Sequence, residues 1–142
     1  MKIAIGGDHA ALALKSKIIA YLKDQGIEVT NYGTDTEESV DYPDFGHPVA
    51  KDVTSGAADL GIVICGSGNG INMTVNKHAG IRSALCWNEE LAALARQHND
   101  ANILALPARF VSEEEGLAIT KSFLAHQFEG GRHERRVNKI PC

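Results

Sequence analysis

The sequence is poor in cysteine and in long apolar segments, and each shortage excludes a class of protein. Three cysteines without regular spacing do not make the disulfide framework of a small secreted domain. No apolar run approaches the length that crosses a membrane. The run that follows Met1 is interrupted at GGDH, which is not the pattern of a signal peptide. We therefore expect a cytoplasmic protein whose thiols are reduced.

Positive charge is also scarce. The net charge is −4, which does not favour a nucleic acid or an anionic membrane as a partner. The basic residues are unevenly placed, and four of them lie in the final RHERRVNKIPC, so small anions remain candidate ligands. At 142 residues with 44% apolar content, the chain is predicted to form one domain over residues 1–142, with a basic C-terminal tail at 130–142.

Short apolar runs alternate with segments of helical periodicity. The apolar runs predict strands at residues 2–7, 27–33, 60–65, 81–86 and 102–107. The periodic segments predict helices at residues 10–25, 43–56, 71–77, 88–98 and 112–128. Five alternations of this kind predict a single-domain α/β fold: a doubly wound, Rossmann-like, five-stranded parallel sheet with helices on both faces.

Ligands of such a sheet bind beyond the carboxyl ends of its strands. The residues predicted to lie there are Gly7-Asp8-His9, Cys65 to Gly70, Cys86-Trp87-Asn88 and Pro107-Ala108-Arg109. The segment His98-Asn99-Asp100 comes just before the fifth strand. Only tertiary packing could bring it to the same edge.

The loop Gly66–Gly70 is mostly bare backbone. Glycines between a strand and a helix point N–H groups into a concavity that suits an anion. The sequence GSGNG is neither GxGxxG nor GxxxxGK[ST], so a dinucleotide site or a P-loop is poorly supported.

Cys65, directly before this loop, has several possible roles. It could be a small buried hydrophobe that ends a core strand, as free cysteines often are. A redox role lacks a second cysteine nearby, and a zinc site lacks CxxC or HxxxH partners. A phosphatase nucleophile lacks an arginine six residues on, where Ile71 stands.

The remaining role for Cys65 is that of a general base. A helix N-terminus favours the thiolate, and a thiolate can remove a proton next to a carbonyl group. The amides of Gly66–Gly70 could then stabilise the oxygen charge that develops. The Ser67 hydroxyl, which both donates and accepts, could move protons between neighbouring oxygens.

Two histidines lie at suggestive positions. His9 follows Asp8 at the predicted ligand edge, although a surface His–Asp pair is the ordinary alternative. His98 ends a helix, where the helix dipole favours histidine in any case. The histidines at 47, 78 and 126 carry no such signal, and we expect them to be structural.

Three arginines are candidate anion ligands. Arg132 and Arg136 are four residues apart, so on a helix they would project from one side and could clamp a phosphate. A solvated basic tail is the alternative explanation. Arg109 follows the fifth strand, where ligand contacts are expected.

Five motifs, taken together and in this order, carry a family resemblance: GGDH, CGSGNG, NK..GIR, ARQHNDANILAL and GGRHERRV. With them, the sequence from Lys2 to about Ile140 resembles the type B ribose-5-phosphate isomerases. That family also contains galactose- and allose-6-phosphate isomerases. Ser67 stands where many relatives have threonine, and it keeps the hydroxyl.

The resemblance implies an aldose–ketose isomerase that needs neither a metal nor an organic cofactor. It would interconvert D-ribose 5-phosphate and D-ribulose 5-phosphate through a cis-enediolate. Cys65 would move the proton between C2 and C1, and His98, aided by Asp8, would open the furanose ring. The other implied substrate-binding residues are Gly66, Ser67, Gly68, Asn69 and Gly70 as an anion hole, Asn99 for sugar oxygens, and His9, Arg109, Arg132 and Arg136 for the phosphate.

The resemblance also implies a homodimer, or a dimer of dimers, in which both subunits contribute to each site. The tail beyond the last helix could reach a neighbouring subunit. Two alternative functions remain: the same chemistry on a six-carbon sugar phosphate, and a non-catalytic sugar-phosphate-binding protein. The second gives no reason for a cysteine at position 65.

Overall fold

The computed structural model, which describes residues 1–142, contains one five-stranded parallel sheet with helices on both faces. The strands are β1 (Lys2–Gly7), β2 (Glu28–Asn31), β3 (Leu60–Cys65), β4 (Ser83–Leu85) and β5 (Ile103–Pro107), in the order β2-β1-β3-β5-β4. The helices are α1 (Leu12–Asp24), α2 (Pro43–Ser55), α3 (Asn69–Val75), α4 (Glu89–Asn99), α5 (Glu113–Ala125) and α6 (Arg132–Val137), with a 3₁₀ turn at His9–Ala11. The predicted doubly wound α/β fold is confirmed.

The boundaries predicted from the sequence differ most from the observed ones at the two edge strands and near the C-terminus. The edge strands β2 and β4 are only four and three residues long, because each has a partner on one side alone. The last long helix ends at Ala125 and not near residue 128. Within the basic tail, residues Arg132–Val137 form α6, which packs against α4 of the same chain.

Alternate residues of the central strands face two separate cores. Ile62 and Ile64 of β3 pack with apolar residues of α1, α4 and α5. Val63 and Cys65 pack on the opposite face with residues of α2 and α3. The continuous burial of β3 follows from this double coverage, which is typical of parallel sheets. The thiol of Cys65 therefore lies on the α2–α3 face.

The chain reverses its winding direction between β1 and β3. From β1 it crosses to β2 on one side, whereas from β3 it crosses away from β1 on the other side. The loops that follow β1 and β3 consequently diverge, and they leave a crevice of the kind in which doubly wound sheets bind ligands. The Asp8 amide donates to the Ile64 carbonyl at 3.2 Å and ties the two loops together at this point.

A buried lysine, Lys15, anchors the end of β2 and the segment that follows it. Lys15 is 2% exposed, and its Nζ donates to Asn31 Oδ1 at 2.9 Å and to Asp35 Oδ1 at 2.6 Å. These bonds, from Lys15 first and then from Asn31, lower the pKa of Asp35 below its usual value. The pair therefore stabilises the fold above the ordinary carboxyl range and loses this effect on acidification. Screening keeps the effect small, since Asp35 is exposed.

None of the helices combines the length and the apolar character that a membrane-spanning segment needs.

Close packing of β1 against α2 makes Gly6 a sensitive position. A Cβ at Gly6 would overlap the backbone carbonyl of Phe45, which cannot rotate away. We expect Gly6→Ala to reduce the free energy of unfolding by about 3 kcal/mol. Gly56→Ala is the matched control, because Gly56 has φ +81° but open space around its Cα, and it should lose only about 1 kcal/mol. Urea unfolding measures both, and equal losses would contradict the packing argument.

Candidate active site

Asp8 and His9 come directly after β1, at one wall of the crevice. Asp8 is 7% exposed, and its Oδ1 accepts a hydrogen bond from the Ala10 amide at 3.0 Å, which caps the 3₁₀ turn. His9 Nδ1 accepts from the Val40 amide at 3.2 Å. Because Nδ1 is an acceptor, the proton of a neutral His9 ring is on Nε2. This nitrogen can therefore donate to a ligand.

Cys65 ends β3 at the other wall of the crevice. The start of the loop after it is held by hydrogen bonds from residues that follow β5. The Cys65 carbonyl accepts from the Ala108 amide at 2.9 Å, and the Gly66 carbonyl accepts from the Arg109 amide at 3.0 Å. The loop that follows β5 therefore holds the glycine loop in place. Cys65 itself is 4% exposed.

Neighbouring side chains crowd the glycines of this loop. A Cβ at Gly66 would lie 2.9 Å from Arg109 Nη1, and one at Gly70 would overlap the ring of Tyr42. Gly68 has φ +76°, and Leu85 leaves no room for a side chain there. Side chains of neighbouring segments thus pack against the loop, and its glycines contribute only backbone atoms to the site.

The two polar side chains of the loop belong to Ser67 and Asn69, and both are exposed. Ser67 Oγ accepts from the Asn69 amide at 3.3 Å. The hydroxyl retains a proton to donate and a second lone pair. It is therefore able to exchange protons with a ligand that lies over the loop.

A second group of candidate residues lines a cleft of about 590 Å³ between α4, α6 and the end of β4. We call this the α4–α6 cleft. Its polar lining consists of His98, Asn99, Arg132, His133 and Arg136. The rings of His98 and His133 stack, with centroids 4.1 Å apart and an interplanar angle of 12°. Glu129 Oε1 lies 3.6 Å from His98 Nε2 and 3.8 Å from His133 Nε2.

The cleft is electrostatically positive because both arginines open onto it. Partial burial lowers the pKa of His133, and the nearby His98 and Arg132 lower it further. His133 is therefore mainly neutral at neutral pH, so the fixed positive charge of the cleft comes from its arginines. Two guanidinium groups on one short helix suit a phosphate.

One chain does not bring the two groups together. Cys65 on β3 and the edge strand β4 are separated by β5, which places them two strand spacings, about 9–10 Å, apart. In addition, α4 covers the sheet face opposite to the one that the Cys65 thiol faces. The crevice group contains Asp8, His9, Cys65, Gly66, Ser67, Gly68, Asn69, Gly70 and Arg109. The α4–α6 cleft contains His98, Asn99, Arg132 and Arg136.

Comparison with known proteins identifies the family to which this chain belongs. The family model described as Ribose/Galactose Isomerase matches residues 3–140. This chain belongs to that family.

Relatives in the ribose/galactose isomerase family align over nearly the full chain. Ribose-5-phosphate isomerase B of Escherichia coli (strain K12) is 46% identical, over 98% of this chain and 93% of that protein. The structure of the Clostridium thermocellum ribose-5-phosphate isomerase B has a TM-score of 0.97 and 53% identity, and the match covers 99% and 95% of the two chains. The Mycoplasma genitalium enzyme, solved with bound ribulose 5-phosphate, has a TM-score of 0.95 and 45% identity, with 98% and 93% coverage.

Three residues at the two sites were missed by the sequence analysis of this isomerase-family chain. Tyr42 covers Gly70 from a loop 28 positions away, and no local pattern indicates that contact. Glu129 and His133 flank His98, and a signal for them was present. They are four residues apart, and His133 lies between the arginines of GGRHERRV.

The remaining histidines have partners within the protein. His47 Nδ1 and His78 Nε2 are 2.7 Å apart and form a hydrogen bond. The tautomers of the two rings decide which nitrogen is the donor. His126 Nδ1 donates to the Ser122 carbonyl at 2.7 Å. These contacts agree with the structural role expected for the three residues.

Cys86 lines the α4–α6 cleft, and its thiol is expected to be unreactive. It is 1% exposed, and burial raises the pKa of its thiol to about 12. At pH 8 its thiolate fraction is therefore roughly one part in ten thousand. We expect iodoacetamide to alkylate the exposed Cys142 rapidly in the folded protein and to leave Cys86 unmodified until the chain unfolds. Peptide mass mapping follows both sites, and early labelling of Cys86 would contradict this.

Proposed function

We propose that this chain interconverts D-ribose 5-phosphate and D-ribulose 5-phosphate through a cis-enediolate. The observation that carries the proposal is the Cys65 thiol, held at the root of a glycine-rich loop whose polar side chains are those of Ser67 and Asn69. Full-length similarity to ribose-5-phosphate isomerases supports this choice of substrate over a six-carbon sugar phosphate. Residues 1–142 act as one sugar-phosphate isomerase domain. Its phosphorylated substrate, which does not cross membranes unaided, assigns the enzyme to the cytoplasm.

The first chemical step opens the furanose ring. His98 donates a proton to the ring oxygen while Asp8 accepts the proton of the C1 hydroxyl group. The bond between C1 and the ring oxygen breaks, and the products are an aldehyde at C1 and a free hydroxyl group at C4. The acid acts on the ring oxygen and the base acts on the C1 hydroxyl group of this hemiacetal, which explains why two separate groups are needed.

The second step moves hydrogen from C2 to C1. The Cys65 thiolate removes the C2 proton, and the electron pair forms the C1–C2 double bond with negative charge on O1. Backbone amides of Gly66–Gly70 would stabilise this oxygen, since donors that the fold holds in place need little reorganisation when the charge develops. Ser67 passes a proton from O2 to O1, and Cys65 returns its proton to C1, which leaves a carbonyl at C2.

Binding of the phosphate positions the reacting carbons. His9 and Arg109 lie at the crevice, whereas Arg132 and Arg136 lie in the α4–α6 cleft. Together they would hold the phosphate at the far end of the sugar. Such remote contacts lower the barrier when they fix the geometry at C1 and C2.

We propose that two copies of the chain combine these groups in a homodimer with shared sites, alone or within a dimer of dimers. One copy would supply Cys65 and its loop, and the other would supply His98 and its arginines. Exposed apolar side chains near the crevice favour such a contact: Trp87 is 57% and Phe110 is 74% exposed. Large apolar groups in this position usually mark an interface.

Isotope exchange separates the two chemical steps. In deuterated water we expect Cys65→Ala to abolish both isomerisation and exchange of the C1 proton of ribulose 5-phosphate. His98→Asn should lose at least about 100-fold in kcat on cyclic ribose 5-phosphate. It should keep C1 exchange, because ribulose 5-phosphate has no furanose ring to open.

Proton NMR of the C1 position follows this exchange directly. A non-catalytic binding protein would show no exchange with wild-type protein, and full activity of Cys65→Ala would remove the proposed base. Values of kcat/KM on ribose 5-phosphate, allose 6-phosphate and galactose 6-phosphate compare the substrate classes.

Mixing of inactive variants tests the shared site. In a dimer of one Cys65→Ala chain and one His98→Asn chain, one site carries both defects and the other carries neither. After random reassociation of equal amounts, we expect about a quarter of wild-type activity, since half of the dimers are mixed and each has one intact site. Each variant refolded alone is the control. Sites contained within single chains would give no recovery.

A further inference from the structure

Glu129, His98 and His133 form a compact group at the mouth of the α4–α6 cleft. Their ligand atoms all lie within 4.8 Å of one another. The residues come from three different segments: the end of α4, the connection after α5, and α6. The Glu129 amide donates to the Gln97 carbonyl at 3.0 Å, which holds the Glu129 backbone beside α4. The proposed mechanism uses His98 alone of the three.

Two imidazoles and one carboxylate are a donor set that Zn²⁺ prefers in proteins. Two ligand atoms on a tetrahedral zinc ion are roughly 3.3–3.5 Å apart. In this structure Glu129 Oε1 lies 3.6 Å from His98 Nε2 and 3.8 Å from His133 Nε2. The two imidazole rings stack in this structure, so one ring would have to rotate out of the stack before all three atoms could face a single ion.

We propose that these three residues form an inhibitory binding site for Zn²⁺ or a similar divalent transition metal. The metal occupies Nε2 of His98 and so removes the proton donor of the ring-opening step. Three protein ligands leave a fourth position for water or an anion. Arg132 and Arg136, which line the same cleft, favour an anion there. The inhibitory effect rests on the proposed function, but the binding site does not.

Metal binding is measured first, without any substrate. The protein carries Cys142→Ser, because the exposed terminal thiol would bind zinc by itself. Competition with a chromophoric chelator should give one Zn²⁺ per chain. Glu129→Gln and His133→Asn should each weaken binding more than about tenfold, since even outer-shell changes cost that much. Glu134→Gln and His126→Asn are matched controls on the same segments and should bind as the parent does.

Two further measurements identify the coordination geometry and the ligand types of the site. Co²⁺ bound in place of zinc should show visible bands of a tetrahedral complex without the near-ultraviolet band of a thiolate ligand. Mg²⁺, which prefers six oxygen ligands, should not compete. Equal zinc affinity of the parent, Glu129→Gln and His133→Asn, or a thiolate band, would overturn the proposal.

Activity separates this proposal from the proposed function. Zinc should slow isomerisation of ribose 5-phosphate at least tenfold and leave C1 exchange of ribulose 5-phosphate unchanged, and EDTA should reverse the effect. Zinc inhibition that persists fully in Glu129→Gln and His133→Asn would overturn the inhibitory site while the isomerase stands. A protein that binds zinc through these residues but has no isomerase activity would refute the proposed function and the inhibition, and leave the metal site.

Discussion

The hydrogen bond from the Asp8 amide to the Ile64 carbonyl lies where the sheet reverses its winding. At this point the chain after β1 turns to one face and the chain after β3 turns to the other. The two loops diverge, which is the arrangement that creates a ligand crevice in doubly wound sheets. Asp8, His9 and Cys65 owe their proximity to this geometry and not to their spacing in the sequence. The candidate chemistry depends on it.

The same winding separates the remaining candidate residues from Cys65. Helix α4 returns along the face opposite to α3, so His98 and the arginines of α6 cannot reach the thiol of their own chain. The glycine loop follows β3 and the α4–α6 cleft lies at β4, so β5 stands between them. Combining two copies is a simple way to place both around one small substrate.

Much of the fold could be predicted because the central strands are buried on both faces. Continuous apolar runs such as LGIVIC identify them, and the residues at their carboxyl ends then follow. The loop from Cys65 to Gly70 was found in this way. The lengths of β2 and β4 were not, since an edge strand pairs on one side alone and both strands stop before their partners do. Helix α6 was also missed, because six residues form a stable helix only through contacts with a neighbour such as α4.

The site was less predictable than the fold. Contacts of Tyr42 with Gly70, and of Glu129 with His98, join segments that are distant in sequence, and local patterns do not encode them. Strand order also escapes local patterns, so the division of the candidate residues between two faces could not be foreseen. The roles assigned to individual residues stay predictions.

A recognition surface composed of main-chain amides has an evolutionary consequence. Gly68 and Gly70 contribute backbone alone, and a side chain at these positions would overlap Leu85 and the ring of Tyr42, respectively. Point mutations at these two positions are therefore disfavoured. Divergence toward sugars of other lengths would have to proceed through bordering side chains such as Tyr42 and Phe110, while the chemistry at the centre is inherited unchanged.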